Sequence, residues 1–456
     1  MKNRELSIIL EDLRRLLGER SMRQVRQTLE DLNTSDVADL LAELQPAEMA
    51  TVFRLLSKET ASEVFAHLEI DEQRYIIESV TDKELSRIIE ELFVDDAVEM
   101  MTELPANVVL RVMRAATSET RELINRFLNY PENSAGRIMT AEFVDLKRYM
   151  SVKESIARIR RIGDDKETIY NCYVTSSDRK LEGAVTVRQL LLADDEAIIG
   201  DIMSEDTSLI FVRTTDDQEQ VTEVFSRYDL LAVPVVDSEH RLVGIVTVDD
   251  VIDVIEEEAT EDIEKMAALL PSDKPYLKTS VITHVKQRIP WLLILMFSSV
   301  VSGAILTNFE HVYTAVPLLV ALMPMLTDTG GNAGAQASTL IIRGMAVGEI
   351  SSGDIVRILW KEIRISVLCG LILAGANFVR IVITYPGEST VGFVMCSALF
   401  CTVVLAKCIG CMLPIVAKVC KLDPALVASP LITTVVDAVG LSVYFMIAIQ
   451  AFKLAP

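Results

Sequence analysis

The chain has 456 residues, enough for two or three domains, and a formal net charge of −22. The acidity is one-sided: residues 1–270 carry a net charge near −26, whereas residues 291–456 hold nine Lys and Arg against eight Asp and Glu. Such a field repels a phosphate backbone, which excludes nucleic acid as a partner; clustered carboxylates with few cations suit divalent metals instead.

The first twenty residues are charged throughout and lack the apolar core of a signal peptide, so the N-terminal region is expected to stay in the cytoplasm. Six of the seven Cys fall in the apolar C-terminal part and Cys172 stands alone before it, so no disulfide framework is implied. Cys408 and Cys411 have CxxC spacing but only Lys407 as a polar neighbour, and they read as small apolar residues.

Residues 34–128 repeat every twelve residues, with units beginning at Leu44, Leu56, Leu68, Val80, Leu92, Leu104 and Ala116. Each unit has a polar or Pro-containing start followed by apolar residues at helical spacing. Twelve residues hold about two helical turns and a bend. Helices that short are stable only when stacked, so residues 1–130 are expected to form an acidic α-helical superhelix.

A second repeat follows. Ile138-Met139-Thr140 returns as Ile202-Met203-Ser204, and Leu181-Glu-Gly-Ala-Val-Thr-Val187 returns as Leu242-Val-Gly-Ile-Val-Thr-Val248. The short β-branched runs predict buried strands alternating with helices. These motifs resemble a tandem pair of α+β CBS domains, the first over 131–200 and the second over 201–257. CBS pairs are regulatory modules found in many settings, so this resemblance does not settle function. A charged connecting helix is expected over 258–289.

From Pro290 the chain turns apolar, with five predicted spans near 290–308, 315–342, 364–385, 391–417 and 425–452. Lys278, Lys286 and Arg288 precede the first; Arg343, Arg357, Lys361 and Arg364 lie between the second and third; Lys418 and Lys421 lie between the fourth and fifth. The loops 308–314 and 384–390 have neither Lys nor Arg. This bias places the N-terminus inside and the C-terminus outside.

An ionisable residue near the bilayer centre costs ~2.5–3.5 kcal/mol and is a functional candidate. Asp437 lies about twelve residues into the fifth span, and Asp328 a similar depth into the second. Two basic residues, Arg380 and Lys407, lie within spans, so a neutralising partner is scarce. Around Asp328 runs Pro324-Met-Leu-Thr-Asp-Thr-Gly-Gly-Asn-Ala-Gly-Ala-Gln336. Gly330, Gly331 and Gly334 are expected to break or thin the helix, and Thr327, Thr329, Asn332 and Gln336 offer neutral oxygens to a polar path. The alternative is a close helix-helix face built on small residues.

The segments T-G-G-N-A-G-A-Q and D-P-A-L-V-A-S-P-L-I-T-T-V-V-D resemble the membrane domain of the MgtE family of Mg2+ transporters. The order of parts matches over the whole chain: helical superhelix, CBS pair, connecting helix, five-span α-helical transmembrane domain. The resemblance implies a homodimer in the cell membrane with an ion path near the subunit interface. Asp437 then corresponds to the selectivity carboxylate. Asp328 stands where the family often has an apolar or small residue, so its role rests on depth alone. The resemblance further implies that cytoplasmic Mg2+ binds Glu63, Asp95, Glu99, Glu219, Asp229, Asp250, Asp253, Glu258, Glu261 and Asp262 and closes the pore by bridging them. The alternative for these charge runs is a solvated surface. Some family members bind ATP in the CBS cleft; the adenine-side segment here would be Ile169-Tyr-Asn-Cys-Tyr173, with no Gly-rich phosphate loop beside it.

Mg2+ sheds water reluctantly and favours oxygen, so a wide polar site with a few carboxylates suits the hydrated ion. No His or Cys cluster suggests Zn2+ or Cu+: His67, His240, His284 and His311 are far apart in sequence. Mn2+ and Co2+ remain open as further cargo. Two rival functions are a carrier or channel for another ion and a non-transporting sensor, which would not need polar residues in the second and fifth spans. An enzyme is not expected, because no nucleophile with a base, phosphate loop or metal-hydrolase pattern is found.

Overall fold

The computed structural model describes residues 2–454 apart from 206–208, 272–275, 278 and 428. It divides into two compact units, Met1–Val254 and Ile255–Pro456.

The first unit opens with α1 (Lys2–Gly18) and α2 (Met22–Glu30). Eight short helices follow: α3 (Thr34–Ala42), α4 (Pro46–Phe53), α5 (Lys58–Ala66), α6 (Ile70–Ser79), α7 (Asp82–Glu91), α8 (Val94–Glu103), α9 (Ala106–Ala115) and α10 (Ser118–Leu128). Their first residues are twelve apart throughout, as the repeat requires. Ser57, Thr81 and Thr117 each accept a bond from a first-turn backbone N–H, which starts α5, α7 and α10. Pro46 begins α4 behind a capping box of Gln45 and Glu48. The periodic residues Leu44, Leu68, Val80, Leu104 and Ala116 fall in the bends between helices, and all are buried. The repeat is thus written as much by its buried bends as by its helices.

The CBS pair contains α11 (Ala135–Ile138), β1 (Val144–Leu146), α12 (Val152–Ile162), β2 (Asn171–Thr175), β3 (Leu181–Thr186), α13 (Val187–Leu192), α14 (Ile199–Ile202) and β4 (Ser204–Glu205). Then come β5 (Val212–Arg213), α15 (Gln218–Tyr228), β6 (Ala232–Val236), β7 (Leu242–Thr247) and α16 (Val248–Met266). One sheet runs β1-β2-β3-β4 and the other β5-β6-β7. In each, the first pair is parallel and the second antiparallel, so the two copies share one plan.

The copies also exchange edges. Ser204 pairs with Ala184 on β3, and Thr140 forms a bridge with Ile245 on β7. This explains why the two sequence motifs recur together. The leading Met-Thr or Met-Ser of one copy lies on the closing strand of the other, and Gly183 and Gly244 leave room for it. A Cβ on Gly244 would stand 2.6 Å from the Thr140 carbonyl oxygen and 2.7 Å from Met139 Sδ; one on Gly183 would strike the Ser204 carbonyl. One apolar core runs from the superhelix through Ala135 and Met139 into Val233, Val246 and Val251.

The connector expected over 258–289 is divided differently. α16 begins directly after β7, because Val251 and Val254 are buried and the helix closing the second CBS copy runs on to Met266. Helix resumes with α17 (Val281–Asn308), which holds the last nine residues of the expected connector and the first span, while residues 272–275 and 278 of that connector lie outside the described residues.

The second unit continues with α18 (Glu310–Ala315), α19 (Leu318–Ala346), α20 (Ile355–Thr384), α21 (Ser389–Val419) and α22 (Ser429–Phe452). Among the described residues four helices are long and apolar enough to cross a membrane: α17, α20, α21 and α22 from Pro430. α19 has 29 residues, and its Thr-Asp-Thr-Gly-Gly-Asn stretch interrupts its apolar run. α21 packs against α19, α20 and α22, around a core of Leu322, Leu326, Val403, Val436 and Tyr444.

Replacing Gly244 by Ala drives a methyl into a carbonyl of the opposite copy, where overpacking costs about 1–3 kcal/mol. Gly244→Ala should therefore lower the melting temperature of the purified protein, while Gly353→Ala, whose methyl would make only an ordinary contact 3.7 Å from Ser351 Oγ, should leave it unchanged. Equal melting temperatures would show that the edge exchange does not hold the pair together.

Candidate functional site

Two groups of polar residues carry chemistry. The first lies along α19 and α22. Asp328, Asn332 and Gln336 are four residues apart and exposed, so they form one stripe on α19, with Thr329 half-buried beside it. The opposite face carries Gly330, Gly331 and Gly334, all buried. These glycines do not break the helix as the sequence suggested; α19 is continuous from Leu318 to Ala346. They thin it. A Cβ on Gly331 would stand 2.8 Å from Thr433 Cγ2 of α22, and one on Gly330 would stand 2.7 Å from Thr402 Cγ2 of α21. Gly410 of α21 meets the backbone of Gly334 so closely that no side chain fits between them. The small-residue face and the polar stripe are therefore two sides of the same helix.

Asp437 is half-buried on α22, one turn beyond Thr433, and the Asp328 carboxylate is close enough to repel it electrostatically. Among the described residues neither acid is paired with Lys or Arg. Lys407, the scarce intramembrane cation, is occupied elsewhere: its Nζ lies 4.0 Å from Glu362 Oε2, and both side chains are nearly buried. The sequence reading began the third span at residue 364 and so missed Glu362. Removing either partner would leave the other charge buried and alone, a loss of about 3–5 kcal/mol. Cys408 and Cys411 lie beside Glu362 as well as Lys407.

The second group is the acidic cluster of the first unit. It gathers Asp95 and Asp96 from α8, Glu142 and Glu167 from the first CBS copy, and Asp249 and Asp250 from the start of α16. Thr140 Oγ1 and the Ala141 N–H both donate to Glu142 Oε2, at 2.6 and 2.9 Å, and the Thr247 hydroxyl donates to Asp250 at 2.5 Å. Burial first, then the neighbouring carboxylates, hold Asp95 well above the usual carboxylate range. Burial likewise raises Asp96 to about 6, with His67 opposing and Asp249 and Glu142 adding. Asp250 rises to about 7 through burial, against its bond from Thr247, and Glu167 to about 8 through burial and the charge of Asp250.

Of the expected sensor residues, Asp95 and Asp250 are thus brought together. Glu63 on α5, Glu99 on α8 and Asp253 on α16 are exposed. Glu219 and Asp229 sit at opposite ends of α15, about 15 Å apart along its axis, and do not form one group within a single chain. Glu258, Glu261 and Asp262 lie on the C-terminal half of α16, where Asp262 is raised by burial and by the charge of Asp423. Glu142, Glu167 and Asp423 were not singled out from the sequence. Asp423 opens the D-P-A-L-V-A-S-P segment, so a signal was present there; Glu142 and Glu167 stand as isolated acids and carry none.

A helical repeat, a CBS pair and a bundle of apolar helices with a polar stripe define a transporter of the membrane with a regulatory region attached. The family model described as the MgtE divalent cation transporter matches residues 323–447, that of the MgtE intracellular N domain 32–133, and that of the CBS domain 199–257. The magnesium transporter MgtE of Thermus thermophilus is 36% identical over 441 residues, 96% of this chain and 97% of the relative. That of Bacillus subtilis is 31% identical over 434 residues, 95% of each. Among solved structures, the soluble part of a magnesium transporter is 30% identical, with a TM-score of 0.53, covering 56% of this chain and 99% of that one. The cytosolic domain of the Mg2+ channel MgtE in complex with ATP is 36% identical, with a TM-score of 0.51, covering 54% and 99%. The chain belongs to the MgtE family of magnesium transporters, and it is not an enzyme.

Carboxyls raised in this way favour the compact unit fully when protonated, below their ordinary values near pH 4, and lose that contribution as pH rises through about 6 to about 8. In a chelator, protease protection of residues 1–254 should fall between about pH 5 and about pH 8, and millimolar Mg2+ should restore it at pH 8. Protection that ignores both pH and Mg2+ would mean that the cluster is not under electrostatic tension.

Proposed function

We propose that this protein carries Mg2+ across the cell membrane along a path lined by Asp328, Thr329, Asn332 and Gln336 of α19 and Asp437 of α22. The observation that carries this reading is the pair Asp328 and Asp437, two acids on the packed helices α19 and α22 that, among the described residues, are not paired with Lys or Arg. Such a site attracts a divalent ion, and neutral oxygens along the stripe receive its waters, so the ion need not be stripped and trapped. The named relatives are magnesium transporters. Mn2+ and Co2+ share the charge and the preference for oxygen and are natural competitors. In this reading α19 is the second of five spans, the N-terminus is cytoplasmic, the C-terminus is outside, and two copies form the transporting unit.

In the same reading the cytoplasmic acids close the path when Mg2+ bridges them. Moving a population from 1:99 to 99:1 takes ~5.5 kcal/mol of differential binding. One site filled at 100 times its Kd contributes only ~2.7 kcal/mol. Several weak sites are therefore needed, which gives a reason for the number of acids: Glu63, Asp95, Glu99, Glu219, Asp229, Asp250, Asp253, Glu258, Glu261 and Asp262. ATP in the CBS pair is a second ligand suggested by the ATP complex of the solved relative. Within the adenine-side segment Tyr170 is 66% exposed and free to stack, whereas Cys172 and Tyr173 are buried.

Mg2+ uptake into liposomes by Asp437→Ala and Asp437→Asn should fall to background, and Asp328→Asn should change competition by Mn2+ or Co2+ without abolishing uptake. Wild-type uptake by a correctly inserted Asp437→Ala protein would remove the path. For closure, Asp250→Ala with Asp253→Ala, or deletion of residues 1–130, should raise the Mg2+ concentration that stops flux and leave conduction intact. Closure at the wild-type concentration would return these acids to the role of a solvated surface.

A further inference from the structure

The last turn of α16 carries a cation among its acids. Lys265 Nζ donates to Glu261 Oε1 at 2.7 Å and to Asp423 Oδ2 at 2.6 Å, and the lysine side chain is only 18% exposed. The other oxygen of Asp423 is also engaged: the Ala425 backbone N–H donates to Oδ1 at 2.8 Å. That bond shapes the turn at Pro424–Val427, which leads into α22 and its Asp437. One carboxylate therefore joins the end of α16 to the entry of the helix that bears the path acid. Burial works against the ammonium, but its bonds to Asp423 and Glu261 hold its pKa above the usual lysine value. The ammonium is therefore a permanent charge at any physiological pH.

We propose that Lys265 is a built-in counter-cation that holds the end of α16 to the turn before α22 without Mg2+, and so sets how much Mg2+ is needed to close the path. The argument is one of charge. Glu258, Glu261, Asp262 and Asp423 bring four carboxylates to this place, and Lys265 bonds two of them, Glu261 and Asp423. With the ammonium present, the helix end and the turn are attached before any metal arrives, and Mg2+ has only the remaining repulsion to overcome. Without it, Glu261 and Asp423 face one another unscreened, and the attachment depends wholly on a divalent ion. Lysine suits this task because it supplies a compact charge on a flexible stem. This inference rests on the closure reading above and concerns a residue outside its set of acids.

The test compares wild type, Lys265→Met and Lys265→Arg as full-length protein in liposomes and in detergent. Met keeps the apolar stem and removes the charge; Arg keeps the charge. In a chelator, amide hydrogen exchange at residues 423–426 should be slow in wild type and Lys265→Arg and faster in Lys265→Met. In flux, Lys265→Met should need about threefold more Mg2+, or higher, for half-closure, the scale of one partly screened ion pair. Lys265→Arg should follow wild type. Wild-type exchange in Lys265→Met would overturn the attachment, and faster exchange with an unchanged closure concentration would overturn its role in setting the threshold. A wild-type protein that never closes with Mg2+ would instead remove the closure reading, and this proposal with it.

Discussion

Carboxylates cannot be packed against one another at neutral pH unless protons or cations come between them. The first unit is built around that constraint. Asp95, Asp96, Glu142, Glu167, Asp249 and Asp250 come from three parts of the chain, and burial and mutual repulsion hold several of them protonated at pH values where a free carboxyl would be ionised. The apolar core that passes from the superhelix into the second CBS copy forces this meeting. Hydrophobic burial thus pulls together what electrostatics pushes apart, and the balance between them is set by whatever positive charge is available. A divalent ion supplies two charges and accepts oxygen, so it relieves the tension more fully than a proton at a single carboxyl.

The helices of the second unit meet the same constraint in two ways. Glu362 and Lys407 stand 4.0 Å apart across α20 and α21, both nearly buried. Asp328 and Asp437 are, among the described residues, not paired with Lys or Arg. The face of α19 opposite the polar stripe makes the close contacts: Gly334 against Gly410 of α21, and Gly331 against Thr433 of α22. A larger residue at any of these glycines would push the helices apart and loosen the bundle.

What the sequence shows of this depends on how far apart the cooperating residues are. The twelve-residue period is local, and helices α3 to α10 follow it from the first residue of each. The CBS copies announce themselves because the motif pairs Met139-Thr140 with Gly244 and Met203-Ser204 with Gly183 meet in space and must change together. Asp437 and Asp328 are visible from depth alone, since few reasons other than function keep an acid in hydrocarbon. Glu142 and Glu167 are different. Each is an isolated acid in an ordinary surface context, and only the folded packing of α8 and α16 against the first CBS copy reveals them. From sequence alone the glycine segment of α19 fits a broken helix, a thinned one or a packing face; the structure shows a thinned, unbroken helix, because its neighbours pack tightly enough to need the missing side chains. The connector was misjudged for a related reason. Charge rises at residue 256, but Val251 and Val254 are core residues of the CBS copy, so the helix is anchored upstream of the point where composition changes.

That anchoring gives α16 an unusual position in the chemistry. Its first turns contribute Asp249 and Asp250 to the acidic cluster, and its last turn contributes Glu261, Asp262 and Lys265 to the bonds around Asp423. No break in the helix separates them. A helix resists compression and bending because every backbone bond along it must be lost or strained together. In the proposed closure, the Lys265 bonds to Glu261 and Asp423 favour attachment at that last turn.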